Sequence, residues 1–252
     1  MNETQYIDGP NGYKLAYVQI NPDAPKTGIV FLGGFRSDMS GTKALFLEKL
    51  AKDQNLPFLR LDYGGHGLSG GVFEEGSIKS WHEDALFLIK KLTDRPQILI
   101  GSSMGGWISY LIAQTLPERI KALISLAPAP DFTDEFLENM SDEQHTMYKE
   151  KDFFTQPNDY SDEPYIFTKT LIEESRQCFL LDKGITYNGP VHILQGKLDS
   201  SVPWQKAKKI EDAFTSKNVI VSYVEDGDHS LSRPQDLALL KEAVLNTLNA
   251  EA

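Results

Sequence analysis

The sequence predicts an α/β fold: a mostly parallel central sheet with helices on both faces and one helical insertion. Three observations carry this. Short apolar runs of strand type alternate with amphipathic stretches of helical period, the pattern of βα units. The alternation lapses once, over 128–188, and then resumes. One strand-to-helix junction reads Gly101-Ser102-Ser103-Met104-Gly105, a G-x-S-x-G sequence set between an apolar strand and a helix.

Along the chain, 13–20 reads as a strand, with Leu15 and Tyr17 alternating against polar neighbours, and Asn21-Pro22-Asp23-Ala24-Pro25 is turn sequence. Residues 28–32 form a short, wholly apolar run of the kind buried inside a parallel sheet. Ala44, Leu47, Leu50 and Ala51 fall at helical spacing and predict a helix over 42–52. A second apolar strand follows at 58–61, then a helix over 78–92 with Ile78, Trp81, Ala85, Leu88, Ile89 and Leu92 on one face. Pro96 punctuates the start of strand 97–100, a helix is expected over 106–116, and 120–126 is a strand. Residues 128–188 contain no clear strand; helices are expected over 134–149 and 164–181, with a polar loop over 155–162. The pattern then resumes with strand 191–195, helix 203–214, strand 219–224 and helix 235–248. Pro203 suits a first helical turn, where its missing N–H costs nothing. The chain thus divides into a core, 1–127 with 189–252, and an inserted helical cap, 128–188.

Composition narrows the function. The 252 residues carry 25 Lys and Arg against 36 Asp and Glu, a net charge of −11. With no basic stripe, neither nucleic acid nor an anionic membrane is an expected partner; the partner is a small-molecule or acylated substrate. Oligomeric state is not legible. Cys178 is the one cysteine, so no internal disulfide forms; it suits a reducing compartment and reads as a small buried apolar group. Met1-Asn2-Glu3-Thr4-Gln5 lacks the basic and apolar regions of a signal peptide, and no apolar run nears the roughly 20 residues that span a bilayer. A soluble, cytoplasmic protein is expected. No cysteine and histidine spacing suggests zinc, and neither metal nor organic cofactor is called for.

Ligands of open parallel sheets bind beyond the carboxyl ends of the strands, so the polar residues just after each predicted strand are the candidates. After 28–32 come Gly33-Gly34-Phe35, after 191–195 come Gly196-Lys197-Leu198-Asp199, and after 219–224 come Glu225-Asp226-Gly227-Asp228-His229. With Ser103 these supply a nucleophile, an acid and a base in the order Ser, Asp, His. A serine hydroxyl must lose its proton as it attacks, and an imidazole can take that proton and return it to the leaving group. Asp199 would hold His229 in the useful tautomer. The N–H groups of Phe35 and Met104 are the candidate oxyanion donors, beside the amino end of a helix whose dipole favours negative charge. His66, His82, His145 and His192 compete for the base, and Asp226 and Asp228 for the acid. His66 stands in a glycine-rich loop; His192 lies within a strand. Asp199 is preferred because a carboxylate seldom reaches an imidazole of its own loop.

The elbow with Asp199 and His229 resembles the α/β-hydrolase superfamily, which implies the α/β-hydrolase fold. Gly34 through Ala44, Asp62-Tyr63, Pro96 through Trp107 and Val202-Pro203-Trp204 are similar, more closely, to its mitochondrial acyl-protein thioesterases and acyl-glucuronide esterases and their bacterial relatives. The resemblance covers nearly the whole chain from Phe31 onward. It implies Ser103, Asp199 and His229 as the triad, Phe35 and Met104 as oxyanion donors, and hydrolysis of carboxylic esters or thioesters of small to medium acyl groups through an acyl-Ser103 intermediate. Residues 1–5 do not resemble the transit peptide of the mitochondrial members, which points to a bacterial cytoplasmic relative. Arg36 and Trp107 are candidate substrate contacts, with a solvated surface role for Arg36 and packing under the elbow for Trp107 as the alternatives, and the aromatics Phe132, Phe136, Tyr148, Phe153, Phe154, Tyr165 and Phe167 either line an acyl pocket or form the cap's own core. Two other readings stand beside this one. A proline-type aminopeptidase would hold its substrate's amino terminus with Glu135, Glu138 or Glu173; a non-catalytic hydrolase-like scaffold would not turn over at all.

Overall fold

A strand covered on both faces has no polar side to show. Gly28–Leu32, Phe58–Leu61 and Gln97–Ser102 are buried at every position. The computed structural model describes residues 3–157 and 164–250. The chain opens with β1 (Gln5–Asp8), β2 (Lys14–Ile20), β3 (Gly28–Leu32), α1 (Thr42–Gln54), β4 (Phe58–Leu61), α2 (Ile78–Leu92), β5 (Gln97–Ser102), α3 (Met104–Thr115) and β6 (Ile120–Leu126). An inserted segment holds α4 (Phe132–Glu138), α5 (Asp142–Lys151), β7 (Phe153–Gln156), β8 (Tyr165–Thr168) and α6 (Lys169–Ser175). Then come β9 (Val191–Gly196), α7 (Lys206–Ala213), β10 (Val219–Val224) and α8 (Pro234–Asn249).

The main sheet runs β1-β2-β4-β3-β5-β6-β9-β10. β2 is antiparallel to β1 and to β4, and every pairing from β4 onward is parallel. Side chains of the central strands alternate between two cores. Val30, Leu32 and Leu99 pack with Trp81, Leu88 and Trp107 of α2 and α3; Ile29, Phe31, Ile98 and Ile100 pack with Leu47, Leu240 and Val244 of α1 and α8. Each such side chain contributes about 1.5–3 kcal/mol by leaving water. Strand order reverses around β3, which has β4 on one side and β5 on the other. The carboxyl ends of β3 and β5, in register at Leu32 and Gly101, therefore form the switch point where such sheets take ligands.

Five expectations need correction. β1 was not foreseen: it is a four-residue, largely exposed edge strand, too short for its alternation to register. The segment 128–188, read as free of strands, contains the β7–β8 hairpin. Its residues, Phe-Phe-Thr-Gln and Tyr-Ile-Phe-Thr, are, apart from Gln156, aromatic and β-branched types that favour a pleated surface. The helix expected over 134–149 is two helices, because Ser141 accepts from the Gln144 N–H and caps α5 anew. The helix expected over 164–181 opens as β8, and Thr168 then caps α6. The expected loop 155–162 falls partly outside the described residues. Finally, α7 begins at Lys206 rather than Pro203, whose carbonyl accepts from the Lys206 N–H in a preceding turn.

Candidate active site

The β5–α3 junction is shaped by close backbone approach. Ser103 has φ 52° and ψ −116°, a strained conformation for a residue with a side chain. A Cβ on Gly101 would lie 2.3 Å from the Gly105 carbonyl oxygen, and one on Gly105 would lie 2.1 Å from that of Leu32. Only glycine fits either place. The Ser103 N–H donates to Leu126 O at 2.9 Å, and its carbonyl accepts from Gly106 and Ala129 at 2.9 and 3.2 Å. The strained residue is thus held at both ends, while Ser102 is buried at the tip of β5.

The loop after β10 is laid across the end of β9 in the same way. A Cβ on Gly196 would meet Gly227 O at 2.4 Å and Asp228 O at 2.6 Å. This close approach helps bring together the three residues singled out in the sequence. His229 Nε2 lies 3.1 Å from Ser103 Oγ, and His229 Nδ1 lies 2.8 Å from Asp199 Oδ2. The Asp199 side chain is fully buried and that of His229 is 20% exposed. Asp199 Oδ1 accepts from the N–H groups of Ser201 and Val202 at 2.9 and 2.7 Å, and Oδ2 also accepts from Gln195 Nε2 at 3.1 Å. A carboxylate so placed only accepts, so Nδ1 carries the ring proton and Nε2 is left to accept from the serine.

The Gly34–Phe35 backbone runs along the elbow: a Cβ on Gly34 would sit 3.4 Å from Ser103 Cβ. Among the described residues neither the Phe35 nor the Met104 N–H has an acceptor. Both are free to donate beside Ser103, at the amino end of α3.

The competing groups have other work. His66 packs edge-on against Tyr63, Phe73 and Trp81, with Nδ1 3.2 Å from Gly64 O, and burial pushes its imidazole down to about 4. His192 meets Ser222 Oγ at 2.9 Å, His82 lies on α2 with burial lowering it to about 4, and His145 is exposed on α5. Asp226 pairs with Arg233, and Asp228 accepts from the Leu231 N–H. The suggested substrate contacts are otherwise engaged too. Trp107 is completely buried, donates to Cys178 O at 2.9 Å, and packs against the rings of Phe132 and Phe179. Arg36, at φ 55°, pairs with Glu74 at 3.0 Å and lies over the Phe73 ring at 4.3 Å.

Two residues near Ser103, Asp199 and His229 are given no role by the sequence alone. Gln195 is a polar residue that follows the apolar pair Ile193-Leu194 at the carboxyl end of β9, which is the available signal. Lys43 reaches the His229 loop from α1, donating to Ser230 O and Ser232 Oγ. The Phe35 ring stacks on Phe167 at 5.5 Å and meets Phe132 edge-on at 5.8 Å, which joins the Gly34–Phe35 loop to the segment between β6 and β9. Asp131 ties the two ends of that segment together by accepting from Leu180 and Leu181. Among the described residues no grouping of His, Cys, Asp and Glu has a metal-binding arrangement, and no helix is long and apolar enough to cross a membrane. A cleft of about 480 Å³ lined by Lys26, Gln54, Arg95 and Leu248 lies at the opposite end of the sheet and holds none of these groups.

Residues 23–151 match the family model described as serine aminopeptidase, S33. The chain is 34% identical over 236 residues to the mitochondrial palmitoyl-protein thioesterase ABHD10 of Homo sapiens, covering 93% of this chain and 76% of that protein. Among solved structures, a putative hydrolase from Agrobacterium vitis S4 superposes with a TM-score of 0.93 at 38% identity, covering 98% of each chain. The mouse alpha/beta hydrolase domain-containing protein 10 does so at 0.91 and 30% identity, covering 99% of this chain and 100% of that one.

Proposed function

This chain belongs to the α/β-hydrolase family, and from that premise we propose a serine hydrolase that cleaves carboxylic esters or thioesters through an acyl-Ser103 intermediate. The observation that carries the reading is the chain of contacts from Ser103 Oγ to His229 Nε2, 3.1 Å, and from His229 Nδ1 to Asp199 Oδ2, 2.8 Å. In this reading His229 takes the Ser103 proton as Oγ attacks the acyl carbon. Asp199 stabilises the imidazolium that results, and the Phe35 and Met104 N–H groups receive the oxyanion. His229 then hands the proton to the departing alcohol or thiol, and water, activated by the same imidazole, releases the acid. The thioester side is supported by the thioesterase name of the relatives.

Residues 1–127 with 189–252 form the hydrolase core in this reading, and 128–188 form its cap. The cap chooses the acyl group with the aromatic side chains it brings to Phe35, namely Phe132, Phe136 and Phe167. The substrate is small or acylated, of small to medium acyl length, and Arg36 is a candidate contact for a polar substituent if it leaves Glu74. A cytoplasmic location is proposed from the lone, buried Cys178, although the relatives are named as mitochondrial.

The description of the family model favours one second reading, an aminopeptidase. It would need an acidic group to hold an amino terminus. Glu135 pairs with Lys206, while Glu138 and Glu173 are exposed, so the first reading is preferred. The deciding experiment compares wild type and Ser103→Ala on short nitrophenyl esters, acyl thioesters and prolyl-naphthylamide, with a fluorophosphonate label. Wild type should be labelled and should turn over the esters, and the variant should lose at least about 10⁴-fold with its fold intact. Turnover of the amide alone would favour the aminopeptidase, and an unlabelled wild type the scaffold.

A further inference from the structure

The segment Gly41-Thr42-Lys43-Ala44 is part of what marks the family in the sequence, yet the reaction as derived uses none of it. Lys43 stands in the first turn of α1, a helix fixed to the sheet by Ala44, Leu47, Leu50 and Ala51. Its half-buried side chain crosses to the loop between β10 and α8, where Nζ donates to Ser230 O at 2.5 Å and to Ser232 Oγ at 3.2 Å. Ser230 is the residue after His229.

That loop lacks regular structure of its own. Leu231 turns it at φ 44° with its side chain buried, and the Ser232 hydroxyl donates to the same Ser230 carbonyl at 3.0 Å. The charges of Asp228 on the loop and Asp236 on α8 attract the ammonium, while Arg233 is occupied with Asp226 and Asp236. We propose that Lys43 is the positioning residue for His229: its ammonium clamps the carbonyl that follows the imidazole to α1, so that Nε2 stays within reach of Ser103 Oγ. The inference rests on the triad reading given above. A lysine suits the task because a four-carbon stem spans the gap and a cation makes a charge-assisted bond to a carbonyl, about twice as strong as a neutral one. Desolvation pulls the ammonium's pKa down to about 8, which accords with the contacts that hold it against the Ser230 carbonyl. A lysine with only a solubilising role would turn to water.

The test is Lys43→Met, which keeps the stem and removes the donors, with Ser232→Ala as a milder partner. Three readings are taken: kcat and KM on a short nitrophenyl ester, the rate of Ser103 labelling by a small fluorophosphonate, and the melting temperature. A loosened base slows acylation by both reagents alike. The expectation for Lys43→Met is a loss of about 10–10² in kcat and in labelling rate, with KM within about twofold. Ser232→Ala should show the same split, smaller, with its melting temperature unchanged. A Lys43→Met protein that labels and turns over within about twofold of wild type overturns the inference and leaves the triad reading intact, whereas an unlabelled wild type overturns the triad reading. Should Lys43→Met fail to fold, Ser232→Ala decides: slower labelling in a native fold supports the clamp, and an unchanged rate overturns it.

Discussion

The β5–α3 junction and the inserted segment between β6 and β9 reach their shapes by opposite means. At the junction backbone lies on backbone: Gly101 against Gly105, Gly105 against Leu32 and Gly33. Nothing there can slide, because a single added Cβ meets a carbonyl oxygen. In the inserted segment rings lie on rings. Phe167 stacks on Phe154 at 5.3 Å and on Phe35 at 5.5 Å, and meets Phe136 at 4.3 Å. Aromatic pairs tolerate a range of offsets and angles, so such a cluster can re-pack at modest cost. Polar ties between segment and core stand at its margins: Trp107 to Cys178, Ser77 to Glu174, and Ile78 to Ser175. The bend at Ser103 is thus held in a frame that cannot adjust, while the segment between β6 and β9 is packed by contacts that can.

The sharpest way to break that contrast is Gly105→Ala. Its new methyl would overlap the Leu32 carbonyl, so a loss of about 4 kcal/mol or outright failure to fold is expected, measured by urea unfolding. A variant of near-native stability would mean that the junction can yield after all. Next comes Phe167→Ala, which empties the centre of the ring cluster. Re-packing should hold its cost to about 2–3 kcal/mol, below the usual range for a buried phenylalanine. Proteolysis should begin within the inserted segment, and preference should shift towards bulkier acyl groups; cleavage starting elsewhere would contradict the division. The smallest effect concerns the ring stack around His66. Burial depresses its imidazole from 6.5 to about 4, so as pH falls below 6.5 the unfolded chain takes up the proton first and stability is lost. Between pH 6.5 and 5 this amounts to about 2 kcal/mol. Burial raises Asp62 to about 6, and that group contributes in the opposite sense over much of the same window. A His66→Phe variant keeps the Asp62 contribution while losing the imidazole's, so its stability should fall less with acid than that of wild type. Parallel stability curves would show that His66 does not titrate as its burial implies.

The same contrast separates what was legible in the sequence from what was not. Strands 28–32, 58–61, 120–126 and 219–224 and the helix 78–92 stand where periodicity put them, since each is a local pattern answering to burial on the sheet. The elbow was legible because its steric demand leaves glycine at fixed offsets from the serine. The β7–β8 hairpin was not: Phe154 and Phe167 belong to a strand pair only because they stack on each other and on the rings around Phe35 and Phe136. Trp107 beside the elbow reads in the sequence as either a packing residue or a substrate contact, and its complete burial with its bond to Cys178, 71 residues on, favours packing.

By itself, then, the sequence determined the parallel sheet, the bend that raises Ser103, and that Asp199 and His229 follow the later strands. These depend on residues close together in the chain, where backbone sterics and side-chain period act directly. Tertiary structure alone decided that the His229 ring meets Ser103, that Gln195 steadies Asp199, and that Lys43 crosses from α1 to the loop at Ser230. Those contacts join residues from separate elements, and their distances are set by how the layers pack, which no local pattern encodes.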